Sequence, residues 1–404
     1  MKFNSISEAL IDLRRGKLVI VADDEDRENE GDFIGAADKC TSEMINFMAT
    51  HGRGLICTAI TSKRAKELEL PPMVVEQQND SPYATPFTVS VDYKHGTTTG
   101  ISTEDRAKTV KALSDPRVTA ESFLKPGHVF PLVAAAGGVF EREGHTEATI
   151  DLMDLAGLSD AGVLCEIMNT DGTMARVPDL FELAKKFGLK IITIKDLINY
   201  KLRYESRIQR VISVEMPTKY GDFELIAYRD VYTDREHLAL TKGTWGIDDD
   251  VLVRIHSECL TGDVFGSSRC DCGDQLDISM RMIEQNGAGI VLYMREEGRG
   301  IGLFSKLKAY SLQEAGLDTV QANRALGFDA DHRDFSVAAN ILYALNVERV
   351  QLITNNLNKC SWMQGYGINV VGRIPVISKE NNYFHRKYLE TKVEKMGHVI
   401  NLKN

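Results

Sequence analysis

Apolar positions along the first half of the chain recur with two periods, and together they predict a mixed α/β domain. Short apolar runs such as Leu18–Asp23 and Gly54–Ile60 predict buried strands. Apolar residues at helical spacing predict helices, the first of which begins after Ser5, which forms a capping-box pattern with Glu8. Further strands are predicted at residues 87–92, 163–168 and 189–194, and further helices at 104–113, 146–155 and 178–187.

The pattern changes near residue 203. A charged helical segment is followed by two strand-like runs that flank Lys219–Asp222, which predicts a hairpin. Beyond the hairpin, strands are predicted at residues 251–257, 289–295 and 349–354, and helices at 274–287, 303–316 and 335–346. We therefore expect two tandem mixed α/β (α+β) domains, residues 1–203 and 204–404, of which the second opens with a strand-rich segment.

Composition and charge narrow the class of protein. The 404 residues are 43% hydrophobic and 26% charged, which is typical of a globular chain with room for two or three domains. The net charge of −10 argues against nucleic-acid or membrane binding driven by bulk charge. No apolar run approaches the roughly 18 residues of a membrane span, and the N-terminus lacks the apolar core of a secretory signal. The odd number of cysteines, seven, fits a reducing compartment, so we expect a cytoplasmic protein without nucleic-acid or membrane partners.

Three of the cysteines, Cys259, Cys270 and Cys272, lie close together in the second half. Three thiolates bind Zn²⁺ strongly because soft sulfur suits that ion. A structural zinc site is closed by four protein ligands, whereas a catalytic site leaves one position for a water that the metal activates. From the spacing alone, a catalytic site and a structural site completed by His256 or a distant residue are both open.

Two neighbouring features favour the catalytic interpretation. Arg254 supplies a cation beside the cysteines, and Arg295–Leu303 (REEGRGIGL) places three glycines at alternate positions ahead of a predicted helix. Glycines let backbone amides approach a phosphate, and a helix N-terminus favours negative charge. A glycine-rich turn alone is also ordinary loop chemistry, but its combination with arginines and a zinc site indicates an anionic substrate.

Five segments of the second half stand in the order of one enzyme family: HSECLTGD, RCDCG, EEGRGIGL, LGFDADHRDF and LITNN. They resemble GTP cyclohydrolase II over roughly residues 205–401. The resemblance implies an enzyme that opens the imidazole ring of GTP, releases formate and pyrophosphate, and forms the first committed intermediate toward riboflavin. It also implies Zn²⁺ held by Cys259, Cys270 and Cys272, and Mg²⁺ that accompanies the triphosphate.

The same resemblance assigns roles to individual residues. Asp331 corresponds to the proton acceptor, and Arg333 to the residue assigned as nucleophile on the α-phosphate. Because a guanidinium stays protonated, electrostatic stabilisation of the transferring phosphate is the alternative for Arg333. The family usually has proline where Leu357 stands. The residues implied to contact GTP are Arg254, Ile255, His256, Ser257, Glu258, Gln275, Glu297, Gly298, Arg299, Thr319, Thr354 and Lys359.

The first half carries two polar clusters at predicted element ends. The acidic run Asp23–Asp32 follows a buried strand directly. Charge runs are most often solvated surface, but active loops often follow strands, and a carboxylate there can bind Mg²⁺. Arg142–Glu147 places His145 at the start of a predicted helix. His128 and the hydroxyl-rich turn Thr97–Ser102 are further candidates, each with an ordinary structural alternative.

Read together, six segments closely resemble 3,4-dihydroxy-2-butanone-4-phosphate synthase over about residues 3–200: DDEDRENEGD, GRGLIC, GTTTGIS, GHVFPL, REGHTEATIDL and CEIMNTDGTMAR. This resemblance implies conversion of ribulose 5-phosphate to a four-carbon phosphate and formate, with Mg²⁺ or Mn²⁺ and no organic cofactor. It implies that Glu28 and His145 bind the metal and that His128 and Glu166 are essential. The residues implied to contact the sugar phosphate are Arg27, Glu28, Asp32, Arg142, Glu143, Gly144, His145, Thr146 and Glu166.

Together the two resemblances imply a bifunctional riboflavin-biosynthesis enzyme, a lyase joined to a hydrolase, with ribulose 5-phosphate and GTP as small-molecule substrates. Both families are homodimeric, so we expect a homodimer. Two alternatives stay open from the residues. In one, a single domain is active and the other serves binding or dimerisation. In the other, the second half is a zinc-stabilised nucleotide sensor that does not turn GTP over.

Overall fold

The structure is a computed structural model that describes residues 2–75, 78–315, 317, 319–328 and 333–376. The chain divides into two compact units, Met1–Tyr200 and Lys201–Asn404. Within the described residues, each unit is built on its own seven-stranded mixed sheet. This confirms the predicted class of two mixed α/β domains. The division falls inside the helix Ile194–Tyr204, which also contains the predicted boundary at residue 203.

The N-terminal unit interleaves strands and helices. Its elements are α1 (Ile6–Arg14), β1 (Val19–Ala22), β2 (Gly31–Ala36), α2 (Ser42–Phe47), β3 (Cys57–Ile60), α3 (Ser62–Glu67), β4 (Val91–Tyr93), α4 (Thr103–Ser114), β5 (Phe123–Val133), α5 (His145–Ala156), β6 (Ala161–Glu166), α6 (Val177–Phe187), β7 (Lys190–Thr193) and α7 (Ile194–Tyr204). The helix α1 begins where predicted, because the Ser5 and Glu8 side chains form both capping-box hydrogen bonds.

The N-terminal sheet has the strand order β4-β5-β3-β6-β2-β1-β7. Its β1–β7 and β3–β5 pairs are parallel and the other neighbouring pairs are antiparallel. Every residue of β1, β2 and β3 is buried, so the centre of the sheet is covered on both faces. The three strands β1, β2 and β6 lie side by side, and residues near their ends form the N-terminal site described below.

The C-terminal unit begins with an antiparallel meander and continues as parallel strands with helical crossovers. Its elements are β8 (Ile208–Thr218), β9 (Gly221–Asp230), β10 (Glu236–Lys242), β11 (Val251–Ser257), α8 (Leu260–Asp263), α9 (Cys272–Asn286), β12 (Gly289–Met294), α10 (Gly302–Glu314), α11 (Thr319–Ala325), α12 (Phe335–Ala344), β13 (Arg349–Ile353), α13 (Leu357–Gly365) and β14 (Asn369–Ile374). The sheet order is β14-β13-β11-β12-β10-β9-β8. The four strands β11 to β14 pair in parallel, so their carboxyl ends lie at one edge.

Several elements differ from the sequence prediction. The strand predicted at residues 87–92 is only β4, and residues 87 and 88 form isolated bridges. The long strand β5 was not predicted, because Pro126, Gly127 and Pro131 interrupt its apolar pattern. The helices α11 and α13 and the strand β2 were not predicted either. All residues of β2 are buried, but its two glycines and one aspartate leave no continuous apolar run in the sequence.

Among the described residues, no helix is both long enough and apolar enough to cross a membrane.

Candidate active sites

One row of the N-terminal sheet brings together three residues that are far apart in sequence. Val21 of β1 pairs with Asp32 of β2, and Asp32 pairs with Glu166 of β6. Side chains of directly paired residues point to the same face of a sheet, so the two carboxylates face one cleft. Both residues are among those that line this cleft.

The imidazole of His145 lies against this row at the first turn of α5. Its Nε2 is 3.2 Å from the Val21 carbonyl oxygen, which can only accept, so Nε2 carries the proton of a neutral ring. The other nitrogen, Nδ1, lies 3.7 Å from Glu28 Oε2 and 4.0 Å from Asp32 Oδ1. A backbone carbonyl on one nitrogen is the usual arrangement of a metal-binding histidine.

The acidic run is divided between structure and surface. Asp23 is buried, and its carboxylate accepts hydrogen bonds from the backbone N–H groups of Glu28 and Glu30 and from the Arg27 guanidinium. Asp23 therefore folds the loop and directs Glu28 toward His145. Residues 24–26 are exposed, so for them the solvated-surface interpretation fits.

The electrostatics of this cluster suit a cation. Burial raises the pKa of Asp32 to about 7, and its Oδ1 is buried without a hydrogen-bond partner among the described residues. Burial lowers the pKa of His145, but the Asp32 and Glu28 carboxylates outweigh burial and raise it to about 9. Without a metal, the raised pKa means that Nδ1 of His145 also carries a proton at neutral pH. A divalent ion between Glu28 and His145 would take the place of this Nδ1 proton and would satisfy the orphaned Asp32 oxygen. The donor set therefore fits an oxygen-preferring ion that tolerates one imidazole.

Two arginines at the rim of the cleft are fixed by neighbouring groups. Arg142 donates to the buried Glu147 carboxylate at 2.7 Å and to the Tyr83 carbonyl oxygen at 3.1 Å. The Arg27 guanidinium lies 4.8 Å from the centre of the Tyr83 ring, and the Tyr83 hydroxyl donates to the Arg27 carbonyl oxygen at 2.7 Å. Tyr83 therefore contacts both Arg27 and Arg142, although it belongs to none of the six segments that carry the family resemblance.

Glu166 is positioned by a close backbone approach. The N–H of Leu55 donates to Glu166 Oε2 at 2.8 Å. A Cβ at Gly54 would lie 2.6 Å from that same oxygen, so only glycine leaves room for the carboxylate. The GRGLIC segment therefore supports the site through its backbone.

The N-terminal cleft collects most of the residues that the sequence predicted for it: Arg27, Glu28, Asp32, Arg142, His145, Thr146 and Glu166. Cys57 also lines it. Glu143 and Gly144 lie on the same turn but are not among the lining residues. His128 is not among them either. It lies on β5, where its Nδ1 is 2.6 Å from Asp92 Oδ2.

The C-terminal site forms where the parallel strands β11, β12 and β13 end. Ligand sites in open α/β sheets lie outside the carboxyl ends of the strands. The segment after β11 carries Cys259, the turn after β12 is Glu297–Gly300, and Thr354 follows β13. One cavity is lined by residues from all three segments.

The three cysteines at this cavity have the geometry of a zinc site. Their sulfurs lie within 4.8 Å of one another, and the Cys259 and Cys270 sulfurs are 3.6 Å apart. Tetrahedral Zn–S bonds of about 2.3 Å imply sulfurs about 3.8 Å apart. A Cβ at Gly262 would lie 2.9 Å from the Cys270 sulfur, so glycine makes room for the cluster. Among the described residues, these three cysteines form the group, and no histidine or carboxylate lies close enough to join it.

Asp263 organises the first of these ligands and the histidine beside it. Its carboxylate accepts from the Cys259 backbone N–H at 3.0 Å and from the Tyr293 hydroxyl at 2.8 Å. It also lies 3.1 Å from Nε2 of the buried His256, whose pKa is lowered by burial. His256 is thus held by Asp263, and it is not a fourth member of the thiol cluster.

Hydrogen bonds from Cys270 and Cys272 hold the pKa of the Cys259 thiol far below its usual range. The ammonium of Lys306 lies 3.1 Å from the Cys259 sulfur and adds to this effect. Burial would lower the pKa of Lys306, but Glu297 and Cys259 raise it instead, so the ammonium stays charged. Cys259 is therefore a thiolate with a cation beside it, whereas the hydrogen bonds that Cys270 and Cys272 make to Cys259 raise the pKa of those two thiols.

Fixed cations surround the rest of the cavity. Burial lowers the pKa of Arg254 to about 10, where it is still charged at neutral pH, and its guanidinium donates to the Gln275 side chain at 2.6 Å. Lys359 donates to the Ile255 carbonyl oxygen at 2.8 Å. Arg333 donates to the Ser257 hydroxyl at 3.2 Å. This concentration of positive charge suits a polyanionic ligand.

The glycine turn before α10 has an unusual backbone. Gly298 and Arg299 both have φ of 64°, and a positive φ is uncommon for any residue other than glycine. Such backbone conformations concentrate at ligand sites. The turn therefore has the form expected of a loop that approaches a phosphate.

Most of the predicted GTP-contacting residues line this cavity: Arg254, His256, Ser257, Glu258, Gln275, Glu297, Gly298, Arg299, Thr354 and Lys359, together with Arg333. Ile255 is buried in β11 and is not among the lining residues. Asp331 and the side chain of Thr319 lie outside the described residues.

Comparison with known proteins identifies both halves. Residues 7–200 match the family model described as 3,4-dihydroxy-2-butanone 4-phosphate synthase, and residues 209–375 match the model described as GTP cyclohydrolase II. Riboflavin biosynthesis protein RibBA of Chlorobium phaeovibrioides is 54% identical over 99% of this chain and 97% of that protein. RibBA of Bacillus cereus is also 54% identical, over 99% of this chain and its own full length.

The chain belongs to the RibBA family of riboflavin biosynthesis proteins. Its two units are accordingly a 3,4-dihydroxy-2-butanone-4-phosphate synthase domain, which is a lyase, and a GTP cyclohydrolase II domain, which is a hydrolase. A crystal structure of RibBX from A. baumannii, described as a two-domain 3,4-dihydroxy-2-butanone 4-phosphate synthase, is 36% identical with a TM-score of 0.66. The match covers 93% of this chain and 100% of the RibBX chain.

The RibBA-type cyclohydrolase cavity also contains residues that sequence analysis missed. Lys306, Tyr310 and Gln313 project from α10 into it, and Asn355 and Asn356 follow β13. The three α10 residues recur at helical spacing directly after the glycine turn, and this polar stripe was the signal available in the sequence.

Proposed function

We propose that the N-terminal site converts D-ribulose 5-phosphate to L-3,4-dihydroxy-2-butanone 4-phosphate and formate, with Mg²⁺ or Mn²⁺ held by Glu28 and His145. The observation that carries this proposal is the fixed His145 ring, whose Nδ1 faces Glu28 and the orphaned Asp32 oxygen. When bound, the ion supplies positive charge for the negative charge that develops on the substrate oxygens.

The residues around the ion have separate tasks in this proposal. Arg27 and Arg142 bind the phosphate, and their contacts with Tyr83 and Glu147 fix their direction in advance. Asp32 is buried and faces the cleft beside Glu166, so it is one candidate for proton transfer with the substrate. Glu166 faces the same cleft and is the second candidate for proton transfer.

The C-terminal site is proposed to hydrolyse GTP to 2,5-diamino-6-(5-phosphoribosylamino)pyrimidin-4-one, formate and pyrophosphate, with Zn²⁺ held by Cys259, Cys270 and Cys272. The close approach of the three sulfurs beside a cationic cavity carries this proposal. Zinc at that position would activate water for attack on the purine. Mg²⁺ would accompany the triphosphate, since it usually binds through phosphate oxygens.

The protein's own cations would then bind and stabilise the triphosphate. Arg254 and Lys359 are held by Gln275 and by the Ile255 carbonyl, so they meet the phosphates without reorganisation. Arg333 would stabilise charge on the α-phosphate, because a guanidinium is a poor nucleophile but matches the geometry of a phosphate with its fork of donors. Asp331 is proposed as the proton acceptor by resemblance.

Paired variants and metal exchange test both proposals. Formate release from the full-length chain is measured separately with ribulose 5-phosphate and with GTP. Glu28→Gln should abolish only the first reaction, and Cys272→Ser only the second, so each variant is the control for the other. After chelation, Mg²⁺ or Mn²⁺ should restore the first reaction, and only Zn²⁺ together with Mg²⁺ the second. A wild-type chain that is active without either class of metal contradicts the assignment.

A second candidate function keeps only the synthase activity. The observation behind it is the RibBX structure, which has two domains and is described by the synthase activity alone. This alternative predicts that GTP stays intact after incubation with the zinc-loaded chain. The cysteine cluster and the cationic cavity favour turnover instead. A zinc-stabilised nucleotide sensor predicts the same intact GTP together with tight GTP binding, which a calorimetric titration would detect.

We propose that the enzyme is a cytoplasmic homodimer. His128 lies outside the cleft of its own chain, is 44% exposed, and is oriented by Asp92. A second copy that brings its own His128 to the cleft would give this residue the role that resemblance assigns. Sedimentation should then show a dimer, and a mixture of inactive His128→Ala and Glu28→Gln chains should regain part of the synthase activity. All seven cysteines are free thiols, as suits a reducing compartment.

A further inference from the structure

Lys306 occupies a central position in the C-terminal site that neither sequence motif nor family resemblance assigned. It lies on α10, one turn after the glycine turn, and its side chain is 12% exposed. Its ammonium is within hydrogen-bonding distance of three groups: the Cys259 sulfur at 3.1 Å, the Thr261 hydroxyl at 3.0 Å and Glu297 Oε1 at 2.8 Å. These partners come from two separate segments of the chain.

The Glu297 carboxylate is already engaged by the protein. Its Oε2 accepts from the Leu260 N–H at 2.6 Å, and its Oε1 accepts from the Gly298 N–H at 2.9 Å as well as from Lys306. Glu297 therefore ties the short helix α8 to the glycine turn. Lys306 completes this connection and extends it to the Cys259 sulfur.

Charge explains why a cation belongs there. Three thiolates and one Zn²⁺ ion sum to a net charge of −1 inside a partly buried site, and uncompensated charge away from water is costly. A donor to a ligand sulfur also withdraws electron density from it and orients it, as outer-shell partners of metal ligands generally do. The Lys306 ammonium, with three acceptors in place, is fixed to serve both purposes.

We propose that Lys306 is a positioning residue for the zinc centre, which holds the Cys259 thiolate and links it to the nucleotide-binding glycine turn through Glu297. The inference rests on the zinc site proposed above. It predicts that the charge and hydrogen bonds of Lys306 are felt at the metal itself, before any nucleotide is present.

The test compares Lys306→Met with Lys306→Arg and with Lys308→Met in the full-length protein. Methionine keeps the length of the side chain and removes its charge and donors. Arginine restores the charge, and Lys308 is an exposed residue of the same helix. Two measurements without GTP are made: the rate at which zinc passes to a chromophoric chelator, and the sulfur-to-metal charge-transfer band of the cobalt-substituted protein. The synthase activity of every preparation verifies that the chain is folded.

Removal of an outer-shell partner usually lowers metal affinity about ten- to a hundredfold, so we expect Lys306→Met to lose zinc faster than wild type by about the same factor. Its charge-transfer band should move to lower energy, because the sulfur lone pairs are no longer stabilised by the ammonium. Lys306→Arg should lie between the two, and Lys308→Met should match wild type.

Unchanged zinc transfer and an unshifted band in Lys306→Met would overturn the inference. A raised KM for GTP with both metal readouts unchanged would make Lys306 a nucleotide contact only and would overturn it as well. If the wild-type chain itself holds no zinc, the proposed cyclohydrolase site fails and the inference fails with it, so the two failures are distinguishable.

Discussion

The close approach of Gly54 to Glu166 allows a sharp test of the N-terminal site. In Gly54→Ala, the new Cβ would lie 2.5 Å from the Glu166 carbonyl oxygen and 2.6 Å from its Oε2, whereas ordinary contact begins at 3.4 Å. Because both the backbone and the carboxylate of Glu166 are affected, rotation of the side chain alone cannot relieve the overlap. The carboxylate must therefore move by about 0.8 Å, the difference between 3.4 and 2.6 Å.

A displacement of about 1 Å at a reacting group costs on the order of a hundredfold in rate. We therefore expect kcat for ribulose 5-phosphate to fall by about a hundredfold in Gly54→Ala, or about 2.7 kcal/mol in activation free energy. The assay is initial-rate formate release at saturating substrate. The GTP reaction of the same preparation should be unchanged, which measures the fraction of intact protein.

Gly157→Ala is the matched control for this change. Gly157 has φ of 65°, and no atom lies within 4 Å of its added Cβ. Alanine there costs about 1–2 kcal/mol of stability through backbone strain alone. Its melting temperature should fall while its kcat stays at the wild-type value. Equal losses of rate in the two variants, or a wild-type rate in Gly54→Ala, would refute the steric argument.

Three further predictions concern other parts of the chain. Tyr83→Ala removes a hydrogen bond to the Arg27 carbonyl and a cation–π contact, which together contribute about 1.5 kcal/mol. The KM for ribulose 5-phosphate should therefore rise about tenfold, while GTP turnover stays unchanged. An unchanged KM would show that these contacts do not help to bind the substrate. Burial raises the pKa of Glu296 from 4.5 to about 7, so the folded state binds its proton more tightly and stability falls as pH rises from about 4.5 to 7. Glu296→Gln should flatten that part of the melting profile, and equal slopes would argue against the shift. Leu357 is the first residue of α13, directly after the Asn356 cap, and proline suits the first position of a helix. Leu357→Pro should therefore raise the free energy of unfolding by about 0.4–1 kcal/mol, because it restricts the unfolded chain. A lower melting temperature would show that the backbone there does not suit proline.

Sequence patterns predicted the parts of this fold that depend on neighbouring residues. The capping box at Ser5 and the strand at residues 251–257 are local, and both appear as predicted. The strand β5 was missed because Pro126 and Pro131 are tolerated only through its particular pairing with β3 and β4.

The same distinction between local sequence and distant contacts applies to the candidate sites. The motifs predicted which ends of strands carry chemistry, because those residues are adjacent in sequence. They could not predict that Tyr83 joins Arg27 to Arg142, since that contact brings together three distant segments. Nor could they predict that Glu297, expected to contact GTP, already accepts three hydrogen bonds from the protein.

The N-terminal site forms only when β1, β2 and β6 pair in the correct register, because Val21, Asp32 and Glu166 lie in one row of the sheet. A slip of one residue between β1 and β2 would turn Asp32 to the opposite face and carry the Val21 carbonyl away from His145. A chain with that error could retain its helices and much of its apolar core, yet it would have no arranged ligands. Recovery of synthase activity after refolding thus reports strand pairing to within a single residue, which circular dichroism does not resolve.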